Sequence, residues 1–291
     1  DHALVKLPFE EKWFTERGCN ATHVGHPFFD QLQSQRLDQQ FLSEQQSKPG
    51  KLVTILPGSR SQEVANNFHW FLKTARKVSE QTSDVRFAVA AFKPKQAALM
   101  REMLTQTDLP IDVYQGRTPE LMAAAHCCLA CSGSVSLELL YHTKPTAILY
   151  WMPYWTYTML SYLVKIPYIT LVNLLVAEEL TPKNPSPWDP SGPKKDEPLF
   201  PEYPTYRDKS DELAGHILQW LADDAAYAKT IQRLEMLKAQ VAHGGASQMA
   251  ANYIMHQMRG VLEASAHDAA THHGSPYQSQ PRPHFAAAKA A

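Results

Sequence analysis

Short apolar runs alternate with helical patterns through the middle of the chain. Leu52-Val-Thr-Ile-Leu56 has the composition of a strand. After Pro57-Gly58-Ser59, the residues Val64, Phe68, Phe71, Leu72, Ala75 and Val78 recur at the 3.6-residue period of a helix with one buried face. Residues 85–90, 111–114, 127–131 and 146–150 predict further strands. Residues 94–104 and 135–141 predict helices between them, and Thr118-Pro119-Glu120 opens a short one with Pro in its first turn. This βαβα rhythm predicts an α/β fold: a Rossmann-like parallel sheet with flanking helices on both faces.

The rhythm stops near Leu180. Eight prolines fall between Pro182 and Pro204. Proline lacks an N–H and cannot continue a helix, so a surface insertion is expected over 181–207. Helical patterns resume over 208–221 and 225–241, and a third helix is expected to about Val261. The Ala, His, Ser, Pro and Gln composition from Ala264 onward predicts a disordered tail. The expected organisation is therefore a lead-in segment over 1–30, a Rossmann-like domain over 31–180, the Pro-rich insertion, C-terminal helices over 208–262 and a tail over 263–291. Asp1 stands where a Met would begin a complete chain, with no basic and apolar leader after it. No signal peptide is expected within this sequence, which is itself expected to be a piece of something longer.

Charge and composition narrow the function classes. Lys and Arg number 28 against 29 Asp and Glu, a net charge of −1 that argues against a nucleic-acid binder. Four Cys exclude a disulfide scaffold. The twenty residues from Pro145 to Val164 carry no charge, about the length of a membrane span. Pro153 interrupts them, and Thr146, Thr156, Thr158, Ser161 and four Tyr lie among them. A strand, a turn at Pro153 and a helix are the expected arrangement. Trp151, Tyr154, Trp155, Tyr157 and Tyr162, followed by Lys165, suit a headgroup zone as well as they suit a protein core.

Two strand-to-helix turns carry candidate chemistry. In Leu56-Pro57-Gly58-Ser59-Arg60, Gly58 lets the backbone approach a phosphate. The helix start offers free N–H groups, and Arg60 adds a fork of donors. Ser59 and Gln62 equally fit a capping box, and Arg60 could pair with Glu63. In Cys131-Ser132-Gly133-Ser134-Val135-Ser136-Leu137-Glu138, Ser132 and Ser134 can donate to a phosphate past Gly133. Glu138 can accept both hydroxyls of a ribose, although Glu is also favoured in the first turn of any helix. Two such cradles in one parallel sheet suggest a nucleotide-diphosphate ligand. Neither a G-x-G-x-x-G nor a G-x-x-x-x-G-K-[ST] sequence is present. Cys128-x-x-Cys131 lacks a second pair, so neither a metal nor a cofactor is expected. His26 reads as a turn or packing residue.

Taken in order, Val24-Gly25-His26-Pro27-(x2)-Asp30, Leu56-Pro57-Gly58-Ser59-Arg60-(x2)-Glu63-Val64, Ser132-Gly133-Ser134-(x3)-Glu138 and Lys165-x-x-Tyr168-(x2)-Leu171-x-Asn173-Leu174 resemble the lipid-A-disaccharide synthase family. Pro8-Phe9-Glu10-Glu11 before Gly18 is similar to the family's approach to its G-H-P turn, and the resemblance covers roughly residues 1–260. Val172 stands where the family has Pro, and Pro201-Glu202 matches a P-E-x-x-Q segment without its Gln.

The resemblance implies the nucleotide-binding half of a two-Rossmann (GT-B) glycosyltransferase, with the half that bears the general base missing. It implies an inverting hexosyltransferase moving 2,3-diacylglucosamine from UDP-2,3-diacylglucosamine to 2,3-diacylglucosamine 1-phosphate. The products are lipid A disaccharide 1-phosphate and UDP, made in the cytoplasm at the surface of the inner membrane. Gly58, Ser59, Arg60, Ser132, Gly133, Ser134 and Glu138 would bind the UDP-sugar, and Arg60 and Asn173 would act in catalysis. A homodimer is compatible with this reading. The isolated fragment would be inactive. The alternatives are another UDP-sugar enzyme of the same architecture, such as a peptidoglycan-type N-acetylglucosaminyltransferase or an epimerase, and a non-catalytic binding fragment.

Overall fold

The computed structural model describes residues 2–164, 166–177 and 198–272. Residues up to Ala246 form one compact unit, and Ser247 onward forms a second. The first unit opens with a parallel pair, β1 (His2–Val5) and β2 (Asn20–His23), joined by α1 (Pro8–Thr15). Then come α2 (Pro27–Ser34) and α3 (Gln39–Ser47). Gly25-His26-Pro27 starts α2: Pro27 takes the first position, and His26 Nδ1 accepts the Phe28 N–H at 3.2 Å. His26 is thus a helix cap whose ring meets Phe28 and Phe29 edge-on.

A second sheet holds β3 (Lys51–Leu56), β4 (Val85–Ala91), β5 (Ile111–Gln115), β6 (Cys127–Cys131), β7 (Thr146–Trp151) and β8 (Glu202–Thr205). Its order is β5-β4-β3-β6-β7-β8, and every pair is parallel. The crossovers are α4 (Ser61–Ser79), α5 (Pro94–Leu104), α6 (Thr118–Ala124) and α7 (Val135–Tyr141). Alternation along the strands divides the core. Val53, Ile55, Val89, Cys127, Leu129 and Leu149 face Phe68 and Phe71 of α4. Leu52, Leu56, Ala88, Cys128, Ala130 and Ile148 face Leu121 of α6 and Leu137 of α7 on the other side. Burial on both faces is why these strands read as continuous apolar runs.

After β7 come α8 (Tyr154–Leu163), which has no buried residue, and α9 (Leu171–Val176). Past the sheet lie α10 (Ser210–Ala222), α11 (Asp224–Val241) and α12 (Ala246–His272). Three expectations change. The Pro-rich stretch is outside the described residues up to 197, but its end is not a loop: Glu202–Thr205 is β8, paired in register with residues 148–151. Pro204 is tolerated because β8 is the edge strand, where a missing donor costs no ladder bond. The helices expected as a separate segment over 208–262 divide: Leu213, Ile217 and Trp220 of α10 and Leu234 and Leu237 of α11 complete the two core layers. Helix α12 continues to His272, into the span expected as tail, whose remainder lies outside the described residues. No helix among the described residues is long and apolar enough to cross a membrane.

Candidate functional site

Strands β3 and β6 are neighbours in space, yet the chain leaves β3 toward β4 and leaves β6 toward β7. That reversal opens a crevice at the carboxyl ends of the strands. A cleft of about 590 Å³ lies there. Gly58, Ser59 and Arg60 line it from the loop after β3, and Ser132, Gly133, Ser134 and Glu138 from the turn after β6. Seven residues from two distant parts of the sequence therefore share one wall.

The loop after β3 is fastened at both polar ends of Ser59. Its N–H donates to Glu63 Oε2 at 2.8 Å, and its carbonyl accepts Gln96 Nε2 at 2.6 Å. The Arg60 N–H also donates to Glu63 Oε2, at 3.1 Å, and Arg60 Nη1 meets Glu63 Oε1 at 2.7 Å. Helix α4 starts at Ser61, so Glu63 is its third residue and closes the capping interaction. The Ser59–Gln62 box expected from spacing does not form; Gln62 instead donates to Asn66. The pairing of Arg60 with Glu63 does form, and the Arg60 side chain, which lines the cleft, stays 80% exposed.

The turn after β6 has different support. Ser136 Oγ donates to the Gly133 carbonyl at 3.0 Å, and Ser132 Oγ to the Ile169 carbonyl at 3.3 Å. A Cβ placed on Gly133 would meet nothing within 4 Å, so the fold itself does not demand glycine there. Open space beside an exposed backbone suits a ligand that lies close to it. Glu138 is half-buried one turn into α7. Burial, reinforced by the charge of Glu120, pushes its carboxyl up to about 7. Asn67 of α4 ties the two turns together: Nδ2 donates to the Glu63 carbonyl and to Cys131 Sγ, and Oδ1 accepts the Trp151 N–H.

Asn173 is elsewhere. It is fully buried, with Oδ1 accepting the Phe200 N–H at 3.0 Å and Nδ2 donating to the Phe200 carbonyl at 2.8 Å and to Glu202 Oε2 at 2.9 Å. Glu202 also accepts the N–H groups of Ile169 and Thr170. The L-x-N and P-E segments thus meet as a structural clamp, and Asn173 has no polar atom left for a substrate. Cys128 and Cys131 do not form a pair either: three residues apart on one strand, they face opposite sides of the sheet. Among the described residues no three His, Cys, Asp or Glu side chains gather as a metal site.

Residues 1–185 match the lipid-A-disaccharide synthetase family. The chain belongs to this family. Among its curated relatives, the lipid-A-disaccharide synthase of Idiomarina loihiensis is 34% identical over 186 residues, which are 63% of this chain and 49% of that protein. The Cellvibrio japonicus enzyme is 37% identical over 186 residues, 63% of this chain and 48% of that one. This family member therefore spans about half the length of the relatives it matches. Among solved structures, a putative UDP-N-acetylglucosamine 2-epimerase from Listeria monocytogenes superposes with a TM-score of 0.53 at 12% identity, over 91% of this chain and 60% of the other. That likeness is one of fold.

Sequence reasoning missed several contributors. Phe92, 64% exposed after β4, and Gly116 and Thr118 after β5 line the far side of the cleft. Phe28 and Gln31 of α2 close another side. An exposed aromatic directly after a buried strand was the available signal for Phe92. The other positions have no signal of their own.

Proposed function

We propose that this synthase-family chain is the donor-binding half of an inverting hexosyltransferase that carries 2,3-diacylglucosamine from UDP-2,3-diacylglucosamine to 2,3-diacylglucosamine 1-phosphate. The observation that carries the reading is the convergence of the Gly58–Arg60 loop, the Ser132–Ser134 turn and Glu138 on one cleft at the strand-order reversal. In this reading the two turns hold the diphosphate and Glu138 accepts the ribose hydroxyls. The ring of Phe92 offers a face to the uracil. Arg60 offsets the negative charge that grows on the leaving diphosphate as the bond to the sugar breaks. The group that removes the acceptor's proton is assigned to no residue of this chain, and Asn173 is released from the catalytic role.

UDP titration by calorimetry tests it. The protein should bind UDP, and Arg60→Ala should weaken binding by about 1.5 kcal/mol, the low end for a charged hydrogen bond because the guanidinium is solvated. Absence of UDP binding by the wild type would sink the reading.

A lipid donor must be reached at a bilayer surface, and α8 supports a peripheral contact on the inner membrane's cytoplasmic face. Trp155 is 80% exposed, Tyr162 78% and Leu163 71%. Trp151 leaves this set: it is half-buried, and its Nε1 donates to the Tyr206 carbonyl at 3.1 Å. Sedimentation with anionic phospholipid vesicles should carry down the wild type, and a Trp155→Ser, Leu163→Ser double variant should stay in the supernatant. Equal behaviour of the two proteins would exclude α8 as the contact.

A further inference from the structure

The loop assigned to a phosphate is already engaged by an anion of the chain itself. Three donors converge on the Glu63 carboxylate: the N–H of Ser59, the N–H of Arg60 and Arg60 Nη1. Glu10 caps α1 with the same pair of backbone N–H groups, those of Lys6 and Leu7. At Glu63 a guanidinium joins the two, and the carboxylate lies in the wall of the cleft. Gly58 makes the approach possible. Its φ is +132°, and a Cβ there would lie 2.8 Å from Glu63 Oε2. The grip of Gln96 on the Ser59 carbonyl keeps the loop from turning its donors elsewhere. The Glu63 side chain is only 15% exposed, whereas the Arg60 side chain is 80% exposed, so the carboxylate lies deeper in the cradle than the arginine that pairs with it.

We infer that Glu63 is a resident anion which competes with the ligand's diphosphate for the Ser59 and Arg60 donors. The inference rests on the nucleotide-diphosphate reading of the cleft and adds a specificity device to it. A ligand carrying two phosphates offers more charge to the three donors than one carboxylate does, and displaces it. A nucleoside without phosphate offers nothing there and leaves Glu63 in place. When the diphosphate leaves, the carboxylate returns, so the donors are never stranded without an acceptor and product departure is eased.

The test titrates UDP, uridine and inorganic pyrophosphate into the wild type and Glu63→Gln. Gln keeps a carbonyl acceptor for the loop and removes the charge. UDP and pyrophosphate should bind the variant roughly three- to tenfold more tightly, the scale of one charge at a helix N-terminus, with uridine unchanged. A gain for pyrophosphate without UDP binding by either protein would remove the nucleotide and keep the competition. No gain for either anion would overturn the inference. A measurement without any substitution guards against misfolding: UDP or pyrophosphate should move the backbone amide resonances of Ser59 and Arg60 in the wild type, and unmoved resonances at saturation would equally overturn it.

Discussion

Gly58→Ala is expected to lose about 2–4 kcal/mol of stability and about an order of magnitude in UDP affinity together, from a strained φ and an overpacked contact. The backbone at Gly58 sits at φ +132°, where an L side chain is strained, and the new methyl would run into the side chain of Glu63. Relief requires the loop to shift, and the loop carries the Ser59 and Arg60 N–H groups and the Arg60 side chain with it. Gly133→Ala is the contrast. Its methyl enters open space, so the melting temperature should hold while UDP affinity falls. Thermal unfolding and calorimetric titration of both variants separate the cases. Equal melting temperatures for Gly58→Ala and wild type would show that the Glu63 contact does not constrain the loop.

Asn173→Ala should be costlier still, at about 3–5 kcal/mol, because it strands several buried partners at once. The Phe200 N–H and carbonyl and one Glu202 oxygen each lose a hydrogen bond in the interior. Burial already pushes the Glu202 carboxyl up, and the bonds from Ile169, Thr170 and Asn173 work against that rise. Removing one of them leaves the carboxylate less compensated. Denaturant unfolding gives the loss directly. UDP affinity of the folded protein should be unchanged, which is the opposite of what a donor-orienting Asn would show. An unaltered midpoint would mean that the clamp does not hold β8 in the sheet.

Both predictions turn on what could and could not be read from the chain. The strands of the large sheet were legible because they are buried on both faces and so appear as short apolar runs. The two turns were legible because strand, glycine and helix start are local features. The clamp was not. Asn173 lies in an apolar run, and only the folding of Phe200 and Glu202 against it shows that its amide is spent. Strand β8 was hidden by its own Pro204, which reads as loop until its place at the sheet edge is known. Glu63 was visible as a partner for Arg60, but its hold on the Ser59 amide depends on how the loop bends at Gly58. Gly116 reaches the cleft through sheet order, which sets β5 beside β4 and β4 beside β3 and has no trace in local sequence.

The distribution of the four thiols has a practical consequence. Cys19 is exposed, whereas Cys127, Cys128 and Cys131 are buried in β6. Burial pushes Cys128 and Cys131 up to about 12 and Cys127 well above its ordinary value, so these three stay protonated and poorly nucleophilic at neutral pH. A maleimide dye therefore has one accessible sulfur in the native protein, just before β2, and a fluorophore can be installed there without first deleting the other cysteines. Labelling of a second thiol then becomes a stopwatch for the opening of the central strand.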